Sequence, residues 1–68
     1  MTRRFRIHTV RREGVWVNEL EGEGRVPGDH REKDEAREAG REIAHAIHAE
    51  HVIHNIDGSI AARLDPDD

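Results

Sequence analysis

The sequence predicts an α+β fold of two layers, in which two antiparallel hairpins form a sheet that packs on one helix. Two short segments of alternating hydrophobicity precede a segment of helical periodicity, and two more follow it, which gives the order β-β-α-β-β. A glycine-containing turn joins each pair of alternating segments, as is typical of hairpins. The 68 residues contain no linker, so we expect one small domain over residues 1–68, with a frayed acidic tail at 65–68.

The first predicted strand covers residues 3–10 and alternates with period two. Phe5 and Ile7 form its apolar face. The opposite face carries three basic or titratable side chains: Arg4, Arg6 and His8. One helix covers one face of a sheet, so this basic face is expected to lie away from the helix.

The second predicted strand covers residues 15–20, after a turn at Arg12-Glu13-Gly14. Either Val15 and Val17 or Trp16 and Leu20 face the helix. We expect Val15 and Val17 to face the helix, in line with the alternation of the first strand. Trp16 and Asn18 then join the basic face.

The predicted helix covers residues 32–49 and follows a glycine- and proline-rich segment, 21–30, that we expect to be a loop. Asp29 is the expected N-cap, with Glu32 as the acid of a capping box. The apolar stripe of the helix is narrow and made of small residues. Gly40 interrupts it at a cost of about 1 kcal/mol relative to alanine, which we attribute to close approach of the helix to the sheet.

The second hairpin joins strands at residues 51–56 and 59–64 through Asp57-Gly58, a pair typical of two-residue type I′ turns. The first of these strands is apolar on both faces, which indicates a central position in the sheet or a second buried face. An exposed Asn55 and Asp57 beside a glycine also suit ligand binding, but a structural turn explains them better.

Composition narrows the classes of function. Cysteine is absent, which excludes disulfides and thiolate zinc sites. No apolar run suits a signal peptide or a membrane span, so we expect a cytoplasmic protein without membrane contact. The net charge of −4 is uneven, because residues 1–12 hold five arginines and no acid. Such asymmetry is typical of a basic contact surface or of self-association.

Four histidines recur at a spacing of three: His45, His48, His51 and His54. His45, His48 and His51 are candidate metal ligands, completed by Glu42 or Glu50, but ordinary surface or core-edge histidines are the favoured interpretation. His51 and His54 point to opposite faces of a strand, so all four do not converge. If His48 or His54 is buried and neutral, stability is expected to fall on acidification.

The basic strand face suggests two kinds of partner. The candidate contact residues are Arg4, Arg6, His8, Trp16 and Asn18. Arginines neutralise phosphates and a tryptophan stacks on bases, so nucleic-acid binding is one hypothesis. Arginine and tryptophan are also frequent anchors of protein interfaces, and we favour self-association.

Enzymatic activity is not expected, and neither is a cofactor. Without cysteine, the candidate nucleophiles reduce to three hydroxyls, on Thr2, Thr9 and Ser59. The glycines at 22 and 24 are flanked by acids, which repel phosphate. The favoured interpretation is a small homo-oligomeric interaction module.

Three segments resemble a small bacterial family known as domain of unknown function 2188. They are residues 16–22 (Trp-Val-Asn-Glu-Leu-Glu-Gly), the helical residues 35–44, and residues 50–60, from Glu-His-Val-Ile-His to Asp-Gly-Ser-Ile. The family often continues with a Ser-Tyr-Gly segment before an Asp-Pro pair; here residues 61–64 replace that segment, although Asp65-Pro66 is present. The resemblance implies a fold and no mechanism. Its motif includes His51 and His54 but not His45 and His48, which weakens the metal hypothesis.

Overall fold

The computed structural model describes residues 5–66 and confirms the predicted α+β fold and its element order. The elements of this part of the chain are β1 (Arg6–Arg12), β2 (Val15–Leu20), β3 (Gly24–Arg25), α1 (Lys33–Ile47), β4 (Glu50–His54) and β5 (Ile60–Leu64). The short β3 is an addition, because it falls in the segment predicted to be a loop. Val26 N–H donates to the Asn18 carbonyl at 2.8 Å, so this glycine-rich segment still pairs with the outer edge of β2.

The sheet is mixed, with the strand order β3-β2-β1-β4-β5. Each predicted hairpin is antiparallel, whereas β1 and β4 run parallel at the centre. The parallel pair is possible because the helix provides the long crossover that parallel strands need. β4 therefore has neighbours on both sides, which agrees with burial of Val52 on one face and Ile53 on the other.

The first hairpin fixes which side chains face the helix, and it corrects the prediction for β2. Glu13 and Gly14 both have positive φ values, 51° and 85°, so the turn has two residues and the Arg12 and Val15 positions are partners. Even-numbered residues of β2 therefore share a face with odd-numbered residues of β1. Trp16 and Asn18 lie on the helix side, 6% and 2% exposed, and the expectation that they join the basic face is wrong.

Both ends of the helix differ from the prediction. Its N-cap is Glu32, without a side-chain cap hydrogen bond, so the expected capping by Asp29 is wrong. At the other end His48 adopts the left-handed conformation, with φ 55°, and Ala49 N–H donates to the Ala44 carbonyl at 2.8 Å. This turn reverses the chain, and Glu50 N–H then donates to the Phe5 carbonyl to begin the parallel pairing.

The helix lies close to the sheet because small residues, Ala36, Gly40 and Ala44, form its buried stripe. Ile7, Ala44 and Ala49 are the buried members of an apolar cluster on this side. The other face of the sheet also has a buried apolar row: Val10, Val17 and Val52. Within residues 5–66, no helix has the length and apolar character needed to cross a bilayer.

Candidate functional site

A buried polar cluster, consisting of Thr9, Asn18 and His51, lies between the sheet and the helix. The three side chains come from neighbouring strands β1, β2 and β4, and none is more than 2% exposed. Thr9 Oγ1 lies 2.6 Å from Asn18 Oδ1 and 2.7 Å from His51 Nε2. Asn18 Nδ2 donates to the Ala36 carbonyl at 2.9 Å, which ties the cluster to the helix.

The position of every proton in the polar cluster follows from these contacts. Because the Asn18 amide nitrogen donates to a carbonyl, its Oδ1 faces Thr9 and accepts the single hydroxyl proton. His51 Nε2 must then carry a proton and donate to Thr9 Oγ1. His51 Nδ1 is left with a bare lone pair, and it has no hydrogen-bond partner among residues 5–66.

Gly40 makes room for the polar cluster. A Cβ atom added at this position would lie 2.5 Å from Asn18 Oδ1, 2.8 Å from His51 Nε2 and 2.9 Å from Thr9 Oγ1. Real Cβ atoms do not approach heavy atoms this closely. The glycine inside the helix is therefore explained by close approach, as the sequence predicts, and the group approached is polar.

His51 is held in its neutral form. Burial lowers the pKa of its imidazole to about 4, and the positive charges of Arg37 and His8 act in the same direction. The sequence hypothesis of a buried neutral histidine named His48 or His54; His48 is exposed, and the deeply buried histidine is His51.

The face of the sheet opposite the helix carries a chain of titratable side chains. His54 Nδ1 donates to the Gly58 carbonyl at 3.0 Å, and His54 Nε2 lies at hydrogen-bond distance, 2.9 Å, from His8 Nδ1. His8 Nε2 lies 3.0 Å from Glu21 Oε1 and must donate to it. These contacts join His54, His8 and Glu21 in one chain of side chains across β4, β1 and the end of β2.

The arginines of this face are paired with acids. Arg6 donates to Glu21 and to Glu50, each at 3.0 Å. Hydrogen bonds from His8 and then Arg6 lower the pKa of the Glu21 carboxyl. Arg12 binds Glu19 through two nitrogens at 3.0 Å, and this bond lowers the pKa of the Glu19 carboxyl. The face predicted to be basic is therefore a network of compensated charges around a cavity of about 400 Å³.

The structure does not bring together the nucleic-acid candidates. Arg6 and His8 lie on the face opposite the helix, whereas Trp16 and Asn18 are buried on the helix side. Lys33 Nζ lies 5.3 Å from the centre of the Trp16 ring. Arg4 lies outside the described residues. No single surface of residues 5–66 combines the predicted set.

The three histidines of the metal hypothesis do not converge on one point, although His45 and His51 border the same cavity. His45 is exposed on the helix, His48 ends it, and His51 is buried beneath Gly40. Within residues 5–66, no group of three histidine, aspartate or glutamate side chains is arranged to hold a metal ion.

The turn of the second hairpin contains Asp57 and Gly58 as predicted, but it is not a two-residue type I′ turn. Only Gly58 has a positive φ, 91°, and Asn55 N–H donates to the Ser59 carbonyl across three intervening residues. Asp57 Oδ1 accepts hydrogen bonds from the Ser59 backbone and hydroxyl, at 2.9 and 2.6 Å. The turn is therefore fixed by an Asx-type contact.

Sequence reasoning missed Thr9 and Glu21 as site residues and gave Asn18 and His51 other roles. The sequence feature that could have placed Thr9 beside Asn18 is the two-residue turn between their strands. This turn sets the strand register in which Thr9 and Asn18 are direct partners. Contacts across the parallel pair, such as Thr9 with His51, have no local signal in the sequence.

A helix packed on a mixed sheet of five short strands defines a small two-layer α+β protein. The model of a family described as an uncharacterized protein conserved in bacteria (DUF2188) matches residues 7–64, and the chain belongs to that family. The resemblance noted in the sequence is thereby confirmed. Comparisons with curated proteins and with solved structures give no match.

Proposed function

We propose that the protein is a non-catalytic interaction module that assembles with copies of itself through the outer edge of β5. The observation that carries the proposal is the apolar character of this edge. Four of the five β5 residues are apolar, and Ile60 and Leu64 are 45% and 39% exposed. Edge strands of monomeric proteins are usually short, charged or covered, because their free backbone groups recruit further strands.

The other edge of the sheet contrasts with β5. There the edge strand is β3, which has two residues, and Trp16 and His30 also exchange backbone hydrogen bonds beside it. A two-residue strand offers little to a partner. Assembly is therefore more favourable at β5 than at β3.

The charge pattern of β5 permits pairing with itself. Arg63 is the one charged residue of the strand, and it contacts Glu50 Oε1 at 3.4 Å within its own protomer. An antiparallel pair centred on Ala62 places Arg63 opposite Ala61 of the other copy, so that the two arginines do not oppose each other. The register of β4 with β5 shifts between the pairs Ile53–Ala62 and His54–Ile60, which leaves Ala61 as a bulge residue, so the regular part of the edge is the segment 62–64.

The sheet face opposite the helix is a weaker candidate for assembly or for nucleic acid. Its arginines Arg6 and Arg12 already bind carboxylates, and Trp16 is absent from it. Binding phosphate there requires breaking these ion pairs. The same compensation makes the face stable in water without a partner.

Sedimentation velocity over about 1–500 µM tests the proposal, because dimerisation depends on protein concentration. We expect a monomer–dimer equilibrium that Ile60→Lys shifts strongly toward monomer. Ala46→Lys is the matched control, since Ala46 is an exposed helix residue away from the edge, and it should leave the equilibrium unchanged. A monomer at every concentration contradicts the proposal, as does a dimer that Ile60→Lys does not weaken.

A further inference from the structure

A second cavity, of about 220 Å³, lies between the end of α1, the start of β4 and the end of β5. Its apolar lining includes Ala44, Ala49 and Leu64, and its polar lining includes the exposed Arg41 and Asp65. The imidazole of the buried His51 also borders it. This volume suits a molecule with a single ring, since a cavity of about 150 Å³ is known to hold benzene.

The orphaned nitrogen of His51 is directed to this side of the molecule. Nε2 is held by Thr9 on β1, and because the two ring nitrogens of an imidazole point in roughly opposite directions, we infer that the lone pair of Nδ1 is directed away from β1, to the side on which β5 lies. Leu64 is the direct partner of His51 across β4 and β5 and shares its face of the sheet. Nδ1 is closed off from solvent, as expected if the Leu64 side chain lies over it.

We propose that this cavity binds a small uncharged organic molecule with an apolar body and one hydroxyl or N–H group, which donates its hydrogen bond to His51 Nδ1. A donor is required because the protons of the polar cluster leave Nδ1 with a lone pair only. An apolar body is required by the alanine and leucine walls. The ligand enters from the exposed side of the cavity, beside Arg41 and Asp65.

Two further features agree with this assignment. The low pKa of His51 keeps the lone pair available at neutral pH. A buried acceptor without a partner is also rare and costs free energy, and a ligand that donates to it removes that penalty. The exposed polar lining consists of Arg41, His45 and Asp65, and because Arg41 and Asp65 have opposite charges it does not select an ion.

Phenol and toluene are the probes, because they have similar size and only phenol donates a hydrogen bond. The readout is the ¹⁵N chemical shift of the His51 ring nitrogens in labelled protein during titration. We expect phenol to shift Nδ1 saturably in the direction of hydrogen bonding, and toluene to perturb the cavity residues without that shift. One such hydrogen bond corresponds to an affinity change of about threefold to tenfold.

Leu64→Trp and Ala46→Trp are the matched variants. Leu64→Trp fills the cavity from an exposed position and should abolish the saturable response to phenol. Ala46→Trp places the same side chain on an exposed helix position outside the cavity lining and should leave the response intact. The proposal is overturned if phenol leaves Nδ1 unmoved, if toluene moves it equally, or if Leu64→Trp and Ala46→Trp respond alike.

Discussion

Acidification should destabilise the fold through His51. The folded state holds this imidazole neutral with a pKa of about 4, whereas an unfolded histidine has a pKa of about 6.5. The unfolded chain therefore binds the proton first. Stability from His51 is complete above about pH 6.5 and is lost as the pH falls toward 4. Linkage gives a loss of about 2 kcal/mol in the free energy of unfolding between pH 8 and pH 5, and about 3 kcal/mol by pH 4.

Urea unfolding followed by the fluorescence of Trp16 measures this loss, because Trp16 is the one tryptophan of the chain and is buried. The interval from pH 8 to pH 5 isolates histidine titration, since carboxyl groups with lowered pKa values, such as that of Glu19, change protonation below it. His51→Gln is the control and should flatten the profile. A wild-type free energy that is constant within about 0.5 kcal/mol, or an equal slope in His51→Gln, refutes the reasoning.

Two substitutions extend the test to the polar cluster and to the first turn. Thr9→Val should lower the free energy of unfolding by about 2–4 kcal/mol, because it leaves Asn18 Oδ1 and His51 Nε2 buried without a partner. Thr9→Ser keeps the hydroxyl and should cost about 1 kcal/mol; equal losses in the two variants contradict the hydrogen-bond argument. Glu13→Asn should raise the free energy of unfolding by about 0.5–1 kcal/mol, since asparagine tolerates the left-handed conformation of this turn position. Glu13→Gln removes the same negative charge, but glutamine has no preference for the left-handed conformation. If Glu13→Gln raises the free energy of unfolding as much as Glu13→Asn does, the gain is due to the charge and the conformational argument is wrong. Urea unfolding measures all four variants.

Much of the fold could be predicted because its signals are local. Alternation, β-branched composition and turn signals identified four of the strands, and helical periodicity identified α1. The apolar composition of β4 on both faces predicted its central position. β3 was missed because glycine and proline in residues 21–30 argue against regular structure, whereas the observed pairing of Val26 with Asn18 uses only backbone atoms.

The prediction for the faces of β2 was wrong, although the sequence contains the feature that determines them. Val15 and Val17 were expected to face the helix because their alternation matches that of Phe5 and Ile7 on the first strand. Register overrides that preference, because a two-residue turn at Glu13-Gly14 leaves one possible alignment of the strands. The buried asparagine is tolerated because its amide oxygen and nitrogen are both hydrogen-bonded.

The polar cluster itself could not be predicted as a unit. Thr9 and His51 are 42 positions apart and meet only because β1 and β4 run parallel. The histidine spacing of three drew attention to a metal site, whereas the fold gives each histidine a different environment. Gly40 was the one local sign of the cluster, since a glycine inside a helix indicates that something lies close to it.

Gly40→Ala tests most directly the claim that the helix and the sheet are joined around the polar cluster. Helix propensity alone predicts a gain of about 1 kcal/mol in the free energy of unfolding. The structure predicts a net loss of about 1–3 kcal/mol, typical of overpacking, because the new Cβ atom meets three side chains held by their hydrogen bonds. Ala46→Gly, on the exposed side of the same helix, calibrates the propensity term. A Gly40→Ala variant more stable than the wild type contradicts the account.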